Sequence, residues 1–108
     1  MKPRSSTKAF EQATSPAATK HVLRLYIAGS SDRSIRAIQN AKAILDEYLP
    51  DAYELDVIDI FKQPSLAHDD HILAVPTLIR RQPLPFRRFI GDLSDRDVVL
   101  VGLDLKRK

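Results

Sequence analysis

Residues 21–61 carry two apolar strand patterns on either side of a helical pattern, and this order constrains the fold more than any other feature of the sequence. A mostly apolar, alternating run over residues 21–28 ends at Gly29, as in a central strand of a sheet. Three N-cap types follow, and then a stripe at helical spacing that comprises Ile35, Ile38, Ala41, Leu45, Tyr48 and Leu49. Pro50 ends this helix, and residues 53–61 favour a second strand. A helix of this length predicts a right-handed β-α-β crossover with two adjacent parallel strands.

The second half of the chain gives conflicting local signals. Pro64 fits the first turn of a short helix that extends to about His71. Strands between residues 72 and 90 must be short, because the segment is interrupted by Pro76, Pro83 and Pro85. Residues 92–97 resemble a helix start, whereas residues 98–105 form a β-branched run that contains Gly102 and favours a strand. Disagreement of this kind marks a functional or strained segment.

The basic residues are concentrated at the two ends of the chain. Residues 1–20 are rich in Ser, Thr, Ala and Lys and have a net charge of +3, and residues 106–108 are Lys-Arg-Lys. Between them, residues 21–105 hold ten Lys or Arg and thirteen Asp or Glu, a net charge of −3. We expect a disordered basic leader over residues 1–20, one domain over 21–105 and a basic tail over 106–108. An organelle transit peptide is the alternative interpretation of the leader.

The charge and hydropathy patterns exclude two classes of partner. A general nucleic-acid binder should carry a basic folded face, and the part expected to fold is acidic. No apolar run reaches the roughly 18 residues that span a bilayer, and the N-terminus lacks the hydrophobic stretch of a secretory signal. We therefore expect a cytoplasmic protein that binds neither nucleic acid nor membrane.

The sequence offers little for catalysis. The absence of cysteine excludes thiol nucleophiles, disulfides and thiolate metal sites. The serines lack the adjacent base that a nucleophile needs. His68 and His71 have the spacing of metal ligands, but further ligands are not evident and a polar helix face explains them better. We expect a protein that is not an enzyme and that holds no cofactor and no metal.

The order of elements resembles the thioredoxin plan. A strand, a helix, a strand and a short helix precede Val75-Pro76-Thr77-Leu78, and a last helix start follows at Gly91-Asp92-Leu93-Ser94. In thioredoxins the proline before the threonine is usually cis. Residues 30–33 stand where the usual Cys-x-x-Cys pair lies, so the redox chemistry of that plan is absent and binding is the expected use of the scaffold.

A narrower resemblance is to the KaiB family of circadian-clock proteins, and it covers about residues 22–105. It rests on uncommon segments that occur in the same order, namely Leu25-Tyr26-Ile27-Ala28-Gly29, Val57-Ile58-Asp59-Ile60, Lys62-Gln63-Pro64-Ser65-Leu66-Ala67, Ile72-Leu73-Ala74-Val75-Pro76-Thr77-Leu78, Arg87-Arg88-Phe89-Ile90-Gly91-Asp92-Leu93-Ser94-Asp95-Arg96 and Val101-Gly102-Leu103-Asp104-Leu105.

The resemblance to KaiB implies an α/β protein with two folds. The ground state keeps the thioredoxin-like β-α-β half, has a KaiB-type C-terminal half and assembles as dimers and tetramers, and the alternative is a thioredoxin-like monomer. Two such packings coexist only if they differ by a few kcal/mol. The monomer is expected to bind a KaiC-like RecA-type ATPase hexamer in a circadian-clock or stress-response system, with a KaiA-like protein or a histidine kinase as further partners. The alternative function is a thioredoxin-fold sensor or adaptor that binds a histidine kinase or a stress-response protein without KaiC.

The resemblance singles out candidate site residues, together with a basic cluster around the proline turn that consists of Arg80, Arg81, Arg87 and Arg88. The candidates for partner contact are Arg36, Asp56, Arg80, Arg87 and Arg88. The arginines of the cluster are equally interpretable as solvated charges on an exposed hairpin. The candidates for the fold switch are Pro76, Pro83, Pro85, Arg88, Gly102 and Asp104. We expect Gly102→Ala to raise helix preference and so to favour the monomer.

Two departures from the pattern of the family bear on its partners. Asp56 stands where many relatives carry lysine, which reverses a charge on a surface that the family uses for binding. Lys106-Arg107-Lys108 replaces the acidic tail of many clock members. Both departures weaken the expectation of a KaiA-dependent oscillator and leave a KaiC-like partner in place.

Overall fold

A computed structural model of the protein describes residues 20–106. The predicted leader lies outside the described residues except for Lys20, and so do Arg107 and Lys108 of the predicted tail. Among the helices within residues 20–106, none has the length and apolar character needed to cross a membrane.

The first half forms the predicted β-α-β unit. Strand β1 (His21–Ile27), helix α1 (Asp32–Tyr48) and strand β2 (Tyr53–Asp59) follow in order, and the two strands pair in parallel. Ser31 caps α1, since its hydroxyl accepts a hydrogen bond from the backbone N–H of Ser34 at 3.2 Å. Strand β2 is two residues shorter than predicted, because the chain turns after it with backbone hydrogen bonds to the carbonyl oxygen of Asp59.

The buried face of α1 matches the predicted stripe only in part, since Ala41 and Leu45 are in the core and Ile38 and Leu49 pack against it. Ile35 and Tyr48, two members of that stripe, are 41% and 38% exposed. The residues that α1 buries are Ser34, Ala37, Ala41, Ile44 and Leu45. The prediction left out the small side chains of Ser34 and Ala37, which lie on the buried face together with Ala41.

The second half adds two short helices and two strands. These are helix α2 (Pro64–Asp69), strand β3 (Thr77–Gln82), strand β4 (Arg87–Ile90) and helix α3 (Arg96–Gly102). Strand β3 pairs antiparallel with β1 and with β4, so the sheet has the order β2-β1-β3-β4. The equivocal β-branched run is therefore helical over its first five residues.

Helix α3 forms in spite of its β-branched residues because capping and packing support it. The carboxylate of Asp95 accepts a hydrogen bond from the backbone N–H of Val98 at 3.4 Å and caps the helix. Val99 and Leu100 are buried in the core. Propensity differences of a few tenths of a kcal/mol per residue are smaller than the gain from burying such side chains.

The sheet separates two apolar cores. The larger lies between the sheet and helices α1 and α3 and includes Leu23, Leu25, Leu45 and Leu100. The smaller lies on the opposite face, next to α2, and contains Tyr26, Ile58 and Ile79. Strand β1 is buried on both faces because it is a central strand, as predicted. The α/β fold is confirmed, and of the two expected arrangements the structure has the thioredoxin-like one.

Candidate functional site

One end of the sheet exposes three large apolar side chains. Strands β1, β2 and β4 end there and β3 begins there, as the parallel and antiparallel pairings require. Phe61 follows β2, Leu73 precedes β3 and Ile90 ends β4, and these side chains are 74%, 94% and 68% exposed. We call these three residues the strand-end surface. Exposed apolar side chains grouped at one end of a small domain are typical of an interaction site.

A groove of about 360 Å³ adjoins the strand-end surface. It lies between the end of β4 and the start of α3, and its lining includes Arg33, Arg88, Ile90, Asp92 and Asp95. The lining also includes Phe89, Leu93, Val98 and Val99, so the groove combines apolar side chains with charges of both signs. Such a combination suits a protein surface with complementary charges better than a small apolar ligand.

The hydroxyl groups at the start of α1 are used for capping. The Ser31 and Ser34 hydroxyl oxygens lie 2.9 Å apart, and Ser34 Oγ is also within hydrogen-bond distance of the backbone N–H and carbonyl oxygen of Ala28. Ser31 lies within residues 30–33, the segment that stands where thioredoxins carry their cysteine pair. The hydrogen bonds of Ser31 and Ser34 hold the turn into α1. They indicate a structural role for this segment.

Arg36 lies at the side of the groove. Its Nε donates to Asp92 Oδ2 at 3.2 Å, and Asn40 donates to the carbonyl oxygen of Asp92 at 2.8 Å. Hydrogen bonds from Ser94 and from Arg36 lower the pKa of the Asp92 carboxyl below its usual value. Helix α1 therefore fixes the loop that follows β4.

Arg88 reaches from β4 to the end of α2. Its guanidinium donates to the carbonyl oxygens of Asp70 and His71 at 3.0 and 2.9 Å. It lines the same groove as Arg33, so the structure brings Arg88 and the Arg36–Asp92 pair to one surface.

Arg87 and Asp56 do not join this surface. The side chain of Arg87 is exposed on β4, opposite Arg80 of β3, and makes no hydrogen bond or ion pair with another residue in the part of the chain described. Asp56 is exposed on β2, at the other edge of the sheet. The five candidates for partner contact are thus distributed over several surfaces.

The expectation that Arg80 lies on an exposed hairpin is wrong. Its side chain is 1% exposed and lies in the core between β3, the β3–β4 turn and the end of α3. The guanidinium donates to the carbonyl oxygens of Leu103 and Pro85, each at 3.0 Å, and lies 3.4 Å from a carboxylate oxygen of Asp104. The two carbonyl oxygens and the Asp104 carboxylate thus accept hydrogen bonds from most of the donors of the buried guanidinium. The sequence pattern did not indicate that Arg80 is buried.

Apart from Arg88, the candidate switch residues lie next to strands β3 and β4 and at the end of helix α3. The peptide bonds before Pro76, Pro83 and Pro85 are cis, and the first of these matches the thioredoxin pattern. Gly102 is the last residue of α3, next to the ring of Phe89. Asp104 has a φ of +62° and faces Arg80. Their part in a switch stays a prediction.

Sequence reasoning missed a charged cluster around Asp70 that joins α2 to the sheet. The Asp70 carboxylate accepts hydrogen bonds from Arg24 and Arg81, each at 3.0 Å, and from the Tyr26 hydroxyl. Burial alone would raise the pKa of Asp70, but hydrogen bonds from Tyr26 and Arg24 and the charges of Arg24 and Arg81 outweigh it and hold the pKa below its usual value. The Asp-Asp pair at positions 69 and 70 gave no signal that one member is partly buried.

Comparison with known sequences identifies close relatives. The KaiB domain model matches residues 24–105. The protein named circadian clock oscillator protein KaiB from Synechococcus elongatus is 53% identical over 85 residues, which cover 79% of this chain and 83% of that protein. The protein of the same name from Trichodesmium erythraeum is 50% identical over 91 residues, which cover 84% and 88% of the two chains.

Comparison with solved structures confirms the fold. The N-terminal domain of Synechococcus elongatus SasA superposes with a TM-score of 0.65 at 22% identity, covering 83% of this chain and 89% of that domain. The Drosophila thioredoxin Deadhead superposes with a TM-score of 0.65 at 16% identity, covering 93% and 94%. These likenesses show a thioredoxin-like fold, and the sequence matches show that the chain belongs to the KaiB family.

Proposed function

We propose that this protein is a noncatalytic regulator that binds a KaiC-like RecA-type ATPase hexamer in a circadian-clock or clock-derived stress-response system. The relatives that carry the name circadian clock oscillator protein support the regulatory role. The observation that carries the mode of binding is the strand-end surface, with three exposed apolar side chains beside a charged groove. In this proposal the thioredoxin-like monomer is the binding form.

The strand-end surface supplies the apolar contact and the groove supplies the charged contacts. Leu73 is 94% exposed, so its burial in a complex gives up no contact in the free protein. Arg33 and Arg88 can meet an acidic patch of the ATPase, while Asp92 and Asp95 favour a partner cation. Arg36 acts here by holding Asp92 in place. Arg87 and Asp56 lie elsewhere and are proposed for a second partner of KaiA or histidine-kinase type.

Replacement of Leu73 tests the proposal. The purified protein is incubated for hours with the cognate KaiC-type hexamer, and the complex is measured by native mass spectrometry. The wild-type protein should form a complex larger than the free hexamer. We expect Leu73→Glu to lower the affinity by roughly tenfold or more, because a carboxylate would replace an apolar contact at the interface.

Leu84→Glu is the matched control. Leu84 is also an exposed leucine, 78% accessible, but it lies in the β3–β4 turn at the opposite end of the sheet. The affinity of this variant should stay within about twofold of the wild type. Equal losses in both variants would place the interface elsewhere, and the absence of any complex with the wild type would rule out this partner.

The alternative function is a thioredoxin-fold adaptor that binds a histidine kinase or a stress-response protein without KaiC. The protein shares its fold with the N-terminal domain of SasA. This likeness supports the thioredoxin-fold part of the alternative but identifies no partner. A protein that binds a purified histidine kinase but no KaiC-type hexamer would support it. Self-association as dimers or tetramers and a cytoplasmic location are also part of the main proposal.

A further inference from the structure

A histidine at the start of β1 and an arginine on the neighbouring strand β3, which pairs with Leu23 two residues along β1, are both buried. His21 is the first residue of β1 and is 9% exposed, and Arg80, on the neighbouring strand β3, is 1% exposed. Among the described residues, the buried side-chain atoms without a hydrogen-bond partner are His21 Nδ1 and Arg80 Nε. The same guanidinium holds the carbonyl oxygens of Leu103 and Pro85, which belong to the end of α3 and the β3–β4 turn.

We propose that His21 makes the thioredoxin-like arrangement sensitive to pH, because protonation of its ring places a second buried positive charge beside Arg80. The guanidinium of Arg80 is permanently charged and is fixed by its acceptors. Repulsion between the two cations therefore weakens the attachment of α3 and the β3–β4 turn to the sheet. This proposal concerns the fold of the isolated chain and stands whether or not an ATPase binds.

The other charged groups around His21 only partly offset this repulsion. Asp104, after α3, is the acid that faces His21 and Arg80, but its side chain is 63% exposed, so water screens its charge. Lys20, which precedes β1, and Glu54, which pairs with Val22 in the register of β2, form an ion pair with each other at 3.2 Å. Tyr53, the partner of His21 in the register of β2, donates a hydrogen bond from its hydroxyl group to the Asp46 carboxylate.

Burial and the charge of Arg80 lower the pKa of His21 below the ordinary value of 6.5, while Asp104 acts in the opposite direction. Between the lowered pKa and 6.5 the unfolded chain binds more protons at this position than the folded chain. The stability that depends on a neutral His21 ring is therefore fully present above about pH 6.5 and decreases as the pH falls below this value. The folding constant falls by up to about tenfold for each unit of the pKa difference.

The test compares titration and unfolding of variants. The protein has three histidines, so His68→Gln with His71→Gln leaves His21 as the one titrating imidazole. In this variant, nitrogen NMR of the His21 ring should give a midpoint below 6.5. Urea unfolding should show the ratio of its folding constant to that of the triple variant, in which His21→Gln is added, decrease by up to about tenfold from pH 7.5 to pH 5.5.

Three results would overturn the proposal. These are a His21 midpoint at or above 6.5, a ratio of folding constants that does not change with pH, and a pH dependence that disappears when His68 and His71 are replaced. If His21→Gln fails to fold, the ring midpoint in the His68→Gln, His71→Gln variant still decides between a buried neutral imidazole and an ordinary exposed one.

Discussion

Arg80 is the residue whose substitution should most affect the thioredoxin-like arrangement. Arg80→Met keeps most of the buried aliphatic volume but removes the donors to Leu103 and Pro85, leaving both carbonyl oxygens without that partner. Hydrogen bonds from charged donors contribute about 1.5–3 kcal/mol each, and losses within one group are not additive. We expect the free energy of unfolding of the dilute monomer to fall by about 3 kcal/mol in urea titrations followed by circular dichroism.

Arg87→Met provides the comparison, because Arg87 lies opposite Arg80 in the strand register but is exposed and unpaired within residues 20–106. The free energy of unfolding of Arg87→Met should differ from that of the wild type by less than about 0.5 kcal/mol. Equal effects of the two substitutions would show that Arg80 does not hold α3 and the turn.

The burial of Arg80 could not be predicted from the sequence. In the sequence Arg80 belongs to a group of four arginines, and charged side chains are seldom fully buried, so exposure was the natural expectation. Its burial depends on carbonyl oxygens of residues 85 and 103, and only the folded chain brings these near position 80. Asp70 was missed for the same reason, since Arg24 and Arg81 reach it from two different strands.

At the scale of elements, Gly102 is placed where two effects oppose each other. Alanine in a helix is more stable than glycine by about 1 kcal/mol. A methyl group at Gly102, however, would lie 2.4 Å from a ring carbon of Phe89, so the ring must move. Because overpacking costs about 1–3 kcal/mol, Gly102→Ala should give no net stabilisation of the monomer when Phe89 is present.

Removal of the opposing ring separates the two effects. In a Phe89→Leu background, which takes away the contacting ring atoms, Gly102→Ala should contribute the full gain of about 1 kcal/mol. The measurement is a double-mutant cycle on the unfolding free energy of the dilute monomer. The same gain in both backgrounds would mean that Phe89 does not restrict position 102.

Elements whose periodicity was clear were predicted well, and elements fixed by distant contacts were not. Strands β1 and β2 and helix α1 follow from local pattern, although the buried face of α1 depends on small side chains that hydropathy underrates. Helix α3 could not be assigned, because its β-branched run favours a strand and its support comes from the Asp95 cap and from burial against the sheet. The candidate surface was also unpredictable, since Phe61, Leu73 and Ile90 come to the same end of the sheet only after β3 has paired with β1 and β4.

At the scale of the whole molecule, the balance between the two expected arrangements should depend on protein concentration. The thioredoxin-like arrangement seen here is a monomer in the proposal, and the competing arrangement is an assembly that concentration favours by mass action. If only about 1% of the chain is in the binding form, the apparent affinity for a partner is about a hundredfold weaker than the intrinsic one. Dilution should then strengthen capture without any change in the interface.

Hydrogen exchange with mass spectrometry on residues 96–105 measures this balance. In the structure this segment contains α3 and the Leu103 carbonyl that Arg80 holds. We expect two isotope envelopes, one of which gains population on hundredfold dilution and loses it in Arg80→Met at every concentration, since that substitution removes contacts made in the thioredoxin-like arrangement. A single envelope at all concentrations and in both proteins would mean that one arrangement accounts for the chain in solution, and the weak apparent affinity would then need a cause in the interface itself.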